Sequence, residues 1–180
     1  MVKRSKQMFQ RGGGSVAALY SGPDGFMGTL DLPFIEFIRR TLTGIDSPPP
    51  QAESILVNDV WQAGLFGRTH IVDVTADDPD HFRFIQYGLA VRFENGKDYT
   101  NQTLRQGGTP VMADLARRDY RRVKTERRRD LALIRVCTGG RAIVYRRMIQ
   151  PLLDSDRRKI SHLLIGVMPD VQEVGSQLFH

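Results

Sequence analysis

The chain has 180 residues, 41% of them hydrophobic and 26% charged, which is the balance of a globular domain with its own core. Lys and Arg exceed Asp and Glu by 6, and the pI is near 9.8. A single cysteine, Cys137, excludes an internal disulfide and any multi-cysteine zinc or iron–sulfur site, and no apolar run approaches a membrane-crossing length.

Residues 1–28 read as a flexible arm. Lys3, Arg4, Lys6 and Arg11 precede Gly12-Gly13-Gly14, and Ser21-Gly22-Pro23-Asp24-Gly25 follows, a density of glycine and proline that favours loop. No GK[ST] follows the glycine triplet, so a phosphate cradle is not expected there. The basic start also lacks the apolar stretch of a secretory signal.

Residues 29–67 read as an N-terminal helical extension. Phe34, Phe37, Ile38, Leu42 and Ile45 share one helical face, Asp31 can cap, and Pro33 sits in the first turn. Ser47-Pro48-Pro49-Pro50 is a stiff break. A short helix is expected around Ile55 to Trp61, closed by Gly64 and Gly67.

From Thr69 the pattern changes to strands. Thr69–Val74 and His81–Tyr87 flank the turn Ala76-Asp77-Asp78-Pro79-Asp80, so they read as a hairpin. The acidic turn lacks the glycine and distal glutamate of a calcium loop. Asn95-Gly96 fits either a two-residue hairpin turn or the end of a short helix, Leu89–Glu94.

Thr109-Pro110 opens a long helix, with Thr109 as cap, and Met112, Ala116, Tyr120 and Val123 on one stripe. Between Ala113 and Asp130, eight basic residues meet four acids, Asp114, Asp119, Glu126 and Asp130, leaving +4. An i,i+4 pair is expected between Asp114 and Arg118. Three strands follow, Leu131–Cys137, Arg141–Gln150 and Ile160–Met168, with a tight turn at Thr138-Gly139-Gly140 and a polar turn at Leu152–Arg158. They are apolar on both faces, so both faces must be covered.

Several segments resemble a bacterial branch of small, often stand-alone PAS proteins. His81-Phe82-Arg83-Phe84-Ile85-Gln86-Tyr87-Gly88 is similar to the branch's second strand with its closing glycine. Gly96-Lys97-Asp98-Tyr99-Thr100-Asn101 resembles its "GrDlTG" signature, with Asn101 in the place of the last glycine. Tyr120-Arg121-Arg122-Val123 resembles its long helix. Arg146-Arg147-Met148-Ile149-Gln150-Pro151-Leu152 resembles its "R-x-x-x-PL" strand end. The branch's proline-rich segment ahead of the first strand is replaced here by Ser47–Gly67. The resemblance implies an α+β fold, a five-stranded antiparallel sheet with central helices on one face and the N-terminal helix on the other. It resolves Asn95-Gly96 toward a helix end. The expected layout is a PAS-like domain over residues 68–170 and a tail over 171–180.

The resemblance also implies a pocket between the sheet and the central helices, with Tyr87, Phe93, Tyr99, Tyr145 and His162 as candidate liners. The cofactor is unknown. Haem is disfavoured because His70, His81 and His162 fall on or beside strands, and covalent flavin because Cys137 lies at a strand end. A small-molecule ligand is compatible with such a pocket.

No nucleophile elbow, P-loop, zinc-protease or dinucleotide motif is present, so no enzyme activity is expected. The expected function is a cytoplasmic, non-catalytic sensory or regulatory domain acting through protein–protein interaction. A homodimer through Phe34, Phe37, Ile38 and Leu42 is expected. The basic surface of Arg117, Arg118, Arg121, Arg122 and Arg128 is expected to dock an acidic protein. Nucleic-acid binding by the helix Arg117–Arg129 is the competing reading.

Overall fold

The computed structural model describes residues 5–11, 14–20, 48–55, 66–88, 96–138 and 141–169. Its strands are β1 (Ser5–Arg11), β2 (Gly14–Tyr20), β3 (Thr69–Asp73), β4 (Arg83–Gln86), β5 (Asp130–Thr138), β6 (Arg141–Leu153) and β7 (Ile160–Pro169). They form one antiparallel sheet in the order β1-β2-β5-β6-β7-β3-β4. Among the described residues one α-helix, α1 (Pro110–Glu126), packs on it. This is an α+β arrangement, and its block β5-β6-β7-β3-β4 is consistent with a PAS-like fold.

The sheet has seven strands and not five. The two added strands fall in the segment expected to be a flexible arm. Arg11 pairs with Gly14, so two residues join β1 to β2, and Gly-Gly is a favoured composition for so short a connection. Val16 and Ala18 alternate inward and are fully buried against β5, opposite Val136 and Ile134. That period-2 burial holds the hairpin in place.

The expected hairpin is present as β3 and β4, joined through a 3-10 turn at Pro79–His81. Asp78 caps that turn by accepting from the Asp80 N–H at 3.0 Å. The free edge of β4 is covered by the segment that follows it. Phe84 N–H donates to the Gln102 carbonyl at 3.0 Å, and Asn101 N–H donates to the Phe84 carbonyl at 2.7 Å. Asn101 adopts φ 65°, a left-handed conformation that glycine takes freely and asparagine tolerates. An asparagine therefore suits this turn.

Helix α1 begins as expected, with Thr109 extended and Pro110 in the first turn. The Thr109 hydroxyl makes no capping bond, so the fixed φ of Pro110 acts without it. The helix ends at Arg127, in the left-handed region at φ 56°, whose N–H closes on the Val123 carbonyl at 2.9 Å. Val111, Leu115, Tyr120 and Val123 are buried, while Met112 and Ala116 are half-buried.

The inner face of the sheet carries Ile134 and Tyr145, which pair across strands, with Ile165, Val167 and Val72. Leu131, Met148, Leu164 and Met168 on the opposite face are also buried, as the two-sided apolar pattern requires. β6 runs on through Pro151 to Leu153, so the polar turn starts later than expected. The proline stretch lies beside its end, where Leu153 N–H donates to the Pro50 carbonyl at 2.8 Å.

The interface candidates Phe34, Phe37, Ile38 and Leu42, the expected helix Leu89–Glu94 and the tail 171–180 lie outside the described residues. No described helix is long and apolar enough to cross a membrane.

Gly88 closes the β4 motif for a steric reason. A Cβ there would meet the Gly67 and Thr69 carbonyl oxygens at 2.5 and 2.6 Å. Both are backbone atoms and cannot rotate away. Gly88→Ala is expected to lose at least the ~1–3 kcal/mol of an overpacked core, read as a lower urea midpoint. An unchanged midpoint would contradict this packing.

Candidate functional site: a cavity under the helix and its buried ion pairs

A cavity of about 90 Å3 lies between the sheet and α1. Its floor is His70, Phe84, Tyr145, Arg147, Ile165 and Val167. Its roof is Met112, Ala113, Ala116 and Tyr120 of α1. Tyr87, Tyr99, Leu104, Gly107 and Gly108 form its wall. Of the expected liners, Tyr87, Tyr99 and Tyr145 are therefore brought together. His162 lies on the other face of β7, alternating with inward Leu163, and its Nδ1 is 2.9 Å from the Ser161 hydroxyl. Phe93 is outside the described residues. Cys137 is half-buried near the end of β5 and is not among the lining residues.

Aromatic packing shapes the wall. Tyr87 stacks on His70 with ring centroids 4.1 Å apart and planes at 21°. It meets Phe84 and Tyr99 edge-on, at 5.2 and 5.0 Å. The Tyr99 ring is set by its own loop. Asp98 Oδ1 accepts from the Thr100 N–H at 2.8 Å, and the Thr100 hydroxyl accepts from the Tyr87 N–H at 3.1 Å. Gly107 leaves room for the ring, since a Cβ there would lie 2.9 Å from Tyr99 Cδ1.

His70 is a site residue that the sequence reading passed over. It sits on β3 one alternation from Val72, so strand parity alone places it inward. Its Nδ1 accepts from the Gly88 N–H at 3.0 Å, which leaves the proton on Nε2. Burial pulls its pKa from 6.5 down to about 3, so it stays neutral at physiological pH. Burial likewise pushes the Tyr87 and Tyr120 phenols up, so both stay protonated.

Arg147 is the second missed residue. It alternates on β6 with inward Tyr145 and Ile149, and its side chain is 5% exposed. Its charge cannot be lost by deprotonation, so it must be met by counter-charge. Asp119 of α1, fully buried, accepts from Arg147 Nη2 through Oδ2. Asp119 Oδ1 accepts from Arg118 Nε at 3.0 Å and Nη2 at 2.8 Å. Asp130, at the start of β5, lies 3.6 Å from Arg147 Nη2. Arg122 Nη2 is 2.9 Å from Asp130 Oδ2 and 3.7 Å from Asp119 Oδ1, as an ion pair off the hydrogen-bond direction.

The two acids respond differently. Burial raises the Asp119 pKa, but Arg147 and then Arg118 outweigh it and hold the carboxyl below its ordinary value. For Asp130 burial prevails over Arg147 and Arg122, and its pKa is raised. Arg147 is held charged: burial opposes its charge, and Asp119 and Asp130 more than offset that.

The outer side of α1 borders a groove of about 650 Å3, lined by Arg117, Arg118, Arg121 and Arg122 together with Asp78, Asp80, Asp114 and Glu126. Arg117 pairs with Asp114, at 2.6 Å over i,i+3, and it also reaches Asp80. Asp80 of the acidic turn is thus an ion-pair partner. Lys124 donates to the Ala76 carbonyl at 2.8 Å and sits over the Phe82 ring. Arg121 and Arg128 are exposed. Among the described residues no cluster of His, Cys, Asp or Glu could hold a metal ion. The cavity is smaller than pockets for drug-sized ligands, which run ~300–1,000 Å3.

No family model matches the chain, and no curated protein matches it. One solved structure similar to it is described as "Structure of an RNA-binding Light-Oxygen-Voltage Receptor". The identity is 18% and the TM-score 0.43, over 68% of this chain and 36% of that one. The chain thus spans little more than a third of that receptor.

Two outcomes test this site. Between pH 6.5 and about 3 the unfolded chain binds a proton at His70 that the folded chain excludes, so stability falls as pH drops below 6.5. Roughly 2 kcal/mol is expected to be lost from pH 7 to pH 5, at ~1.4 kcal/mol per unit, and His70→Gln should flatten the urea-midpoint profile. An equally steep variant profile would exclude His70 as its source. Asp119→Ala leaves Arg147 with a weaker counter-charge and is expected to lose about 3–5 kcal/mol, measured the same way.

Proposed function

We propose that the protein is a non-catalytic sensory or regulatory module of PAS type, in which occupancy of the cavity is transmitted through α1 to its arginine-rich outer face and read there by a protein partner. One observation carries this reading. Arg147 lines the cavity and binds Asp119, whose other oxygen holds Arg118 on the groove outside. One buried carboxylate therefore separates the inside of the domain from its surface. A change in Arg147 alters the field at Asp119 and with it the seating of Arg118 and Arg122.

The titration behaviour supports a non-catalytic role. A general base works best with a pKa near the working pH. His70 sits at about 3, and the phenols of Tyr87 and Tyr120 are shifted upward by burial. None of these is poised to exchange a proton near neutrality.

The charge pattern supports a protein partner over a polyanion. The groove interleaves four arginines with Asp78, Asp80, Asp114 and Glu126. A phosphate backbone would be repelled by those acids, whereas a protein surface of mixed sign can match both. An acidic segment on that partner would meet exposed Arg121.

The test fills the cavity and watches the surface. Ala116→Leu places bulk in the roof without touching the ion pairs. The side-chain N–H resonances of Arg118 and Arg122 are expected to move in the variant while those of Arg128 stay. Unmoved Arg118 and Arg122 signals would sink the transmission step. A salt series with duplex DNA and single-stranded RNA tests the competing reading. A log–log slope of about −3 to −4, as four phosphate contacts would give, would replace the protein partner with a nucleic acid.

A further inference from the structure

Arg147 lines the cavity, and one of its donors has no acceptor among the described residues. Its Nη2 end is committed to Asp119 and Asp130, but among the described residues its Nε–H meets no hydrogen-bond partner, and the side chain is 5% exposed. A buried N–H of a charged group left in this state is unfavourable, and an acceptor placed against it relieves the cost. His70 adds a second pure donor. Its Nδ1 is taken by Gly88, so Nε2–H is what the ring can offer to a guest. The tyrosine hydroxyls can donate or accept, and the lining contains no carboxylate.

The charge that lines the cavity has the same sense, because Arg147 is the one side chain there whose charge is fixed. Phe84, Leu104, Met112, Ile165 and Val167 give the lining its apolar part. The volume sets the size. A cavity near 150 Å3 holds a benzene, and this one has about 90 Å3.

We infer that the cavity binds a short-chain monocarboxylate of about two to four carbons, its carboxylate on the Arg147 guanidinium and His70 Nε2–H and its alkyl tail against Ile165 and Val167. This identifies the ligand class of the proposed sensory site and rests on that reading. The bound anion would share Arg147 with Asp119, and so draws on the same contact that leads to Arg118.

The experiment uses the full chain with three probes of similar size: propionate, propionamide and n-propylammonium. Each is titrated to roughly tens of millimolar at matched ionic strength, the range suited to a ligand of about five heavy atoms. Thermal midpoints and the His70 ring resonances are followed. Propionate is expected to raise the midpoint saturably and shift the His70 signals. Propionamide is expected to bind at least tenfold more weakly, and propylammonium not at all. In Ala116→Leu the propionate response is expected to vanish. Arg147→Lys should weaken propionate at least tenfold, and if that variant does not fold, Ala116→Leu carries the test.

Propionamide binding as well as propionate would overturn the carboxylate assignment and leave the sensory cavity standing. A propionate response that persists in Ala116→Leu would place the binding elsewhere and overturn the assignment. If no probe binds but Ala116→Leu still moves the Arg118 signals, the ligand class fails alone. If no probe binds and those signals stay put, the ligand class and the sensory reading fall together.

Discussion

A guanidinium buried between a sheet and a helix is the constraint from which the rest follows. Arg147 points inward from the middle of β6, where its strand neighbours Tyr145 and Ile149 are ordinary core residues. It cannot shed its proton, so the fold has to bring carboxylates to it. They come from two directions. Asp119 descends from α1, and Asp130 stands at the first position of β5, the strand next to β6. Helix, strand and strand are therefore tied at one point by directional contacts. Rotating α1 by one residue would carry Asp119 off Arg147 and replace it with a basic neighbour or a ring. Apolar packing alone would tolerate such a slip far better, because Met112, Ala116, Tyr120 and Val123 form a broad stripe with adaptable members.

The same contacts change what the chain's charge means. Summed along the sequence, the helix and its exit look like a strongly basic face. In the folded protein Asp119 and Asp130 lie inside and draw Arg118 and Arg122 toward the interior edge, while Asp80 and Asp114 engage Arg117. Arg129 turns to the Gln150 side chain at 2.7 Å. The basic surface that solvent meets is thus smaller than the composition implies, and it is patterned with acids. That distinction separates a docking surface for a protein from a track for a polyanion.

Much of this could be read from sequence where a local rule acts on its own. The strands β3 to β7 follow from alternation and turn residues, and the start of α1 from Pro110 in its first turn. Two-sided burial of the last strands followed from their apolar runs. β1 and β2 escaped because the glycines between them were weighed as a flexible stretch, although Val16 and Ala18 already alternate as a buried strand does. His70 and Arg147 escaped for a different reason. Inward parity was applied to apolar side chains only, yet parity is blind to polarity, and a polar residue in an inward slot is the more informative one. His162 illustrates the converse, an aromatic ring credited to the pocket although its parity sends it to the other face.

The cavity itself is a consequence of small residues opposite long ones. Ala113 and Ala116 on α1 face the level of the sheet where Tyr145 and Arg147 stand, and Gly107 yields its side to the Tyr99 ring. A leucine at either alanine would close the space at ordinary interior density. Leaving it open forgoes the packing contacts that a larger side chain would make. The space borders Arg147, whose Nε–H meets no acceptor among the described residues, so two separate destabilising features share one place. No single substitution relieves both: filling the space leaves the N–H unmet, and removing Arg147 strands Asp119 and Asp130. The space and the unmet donor are thus bound to the same ion pairs that tie the helix to the sheet.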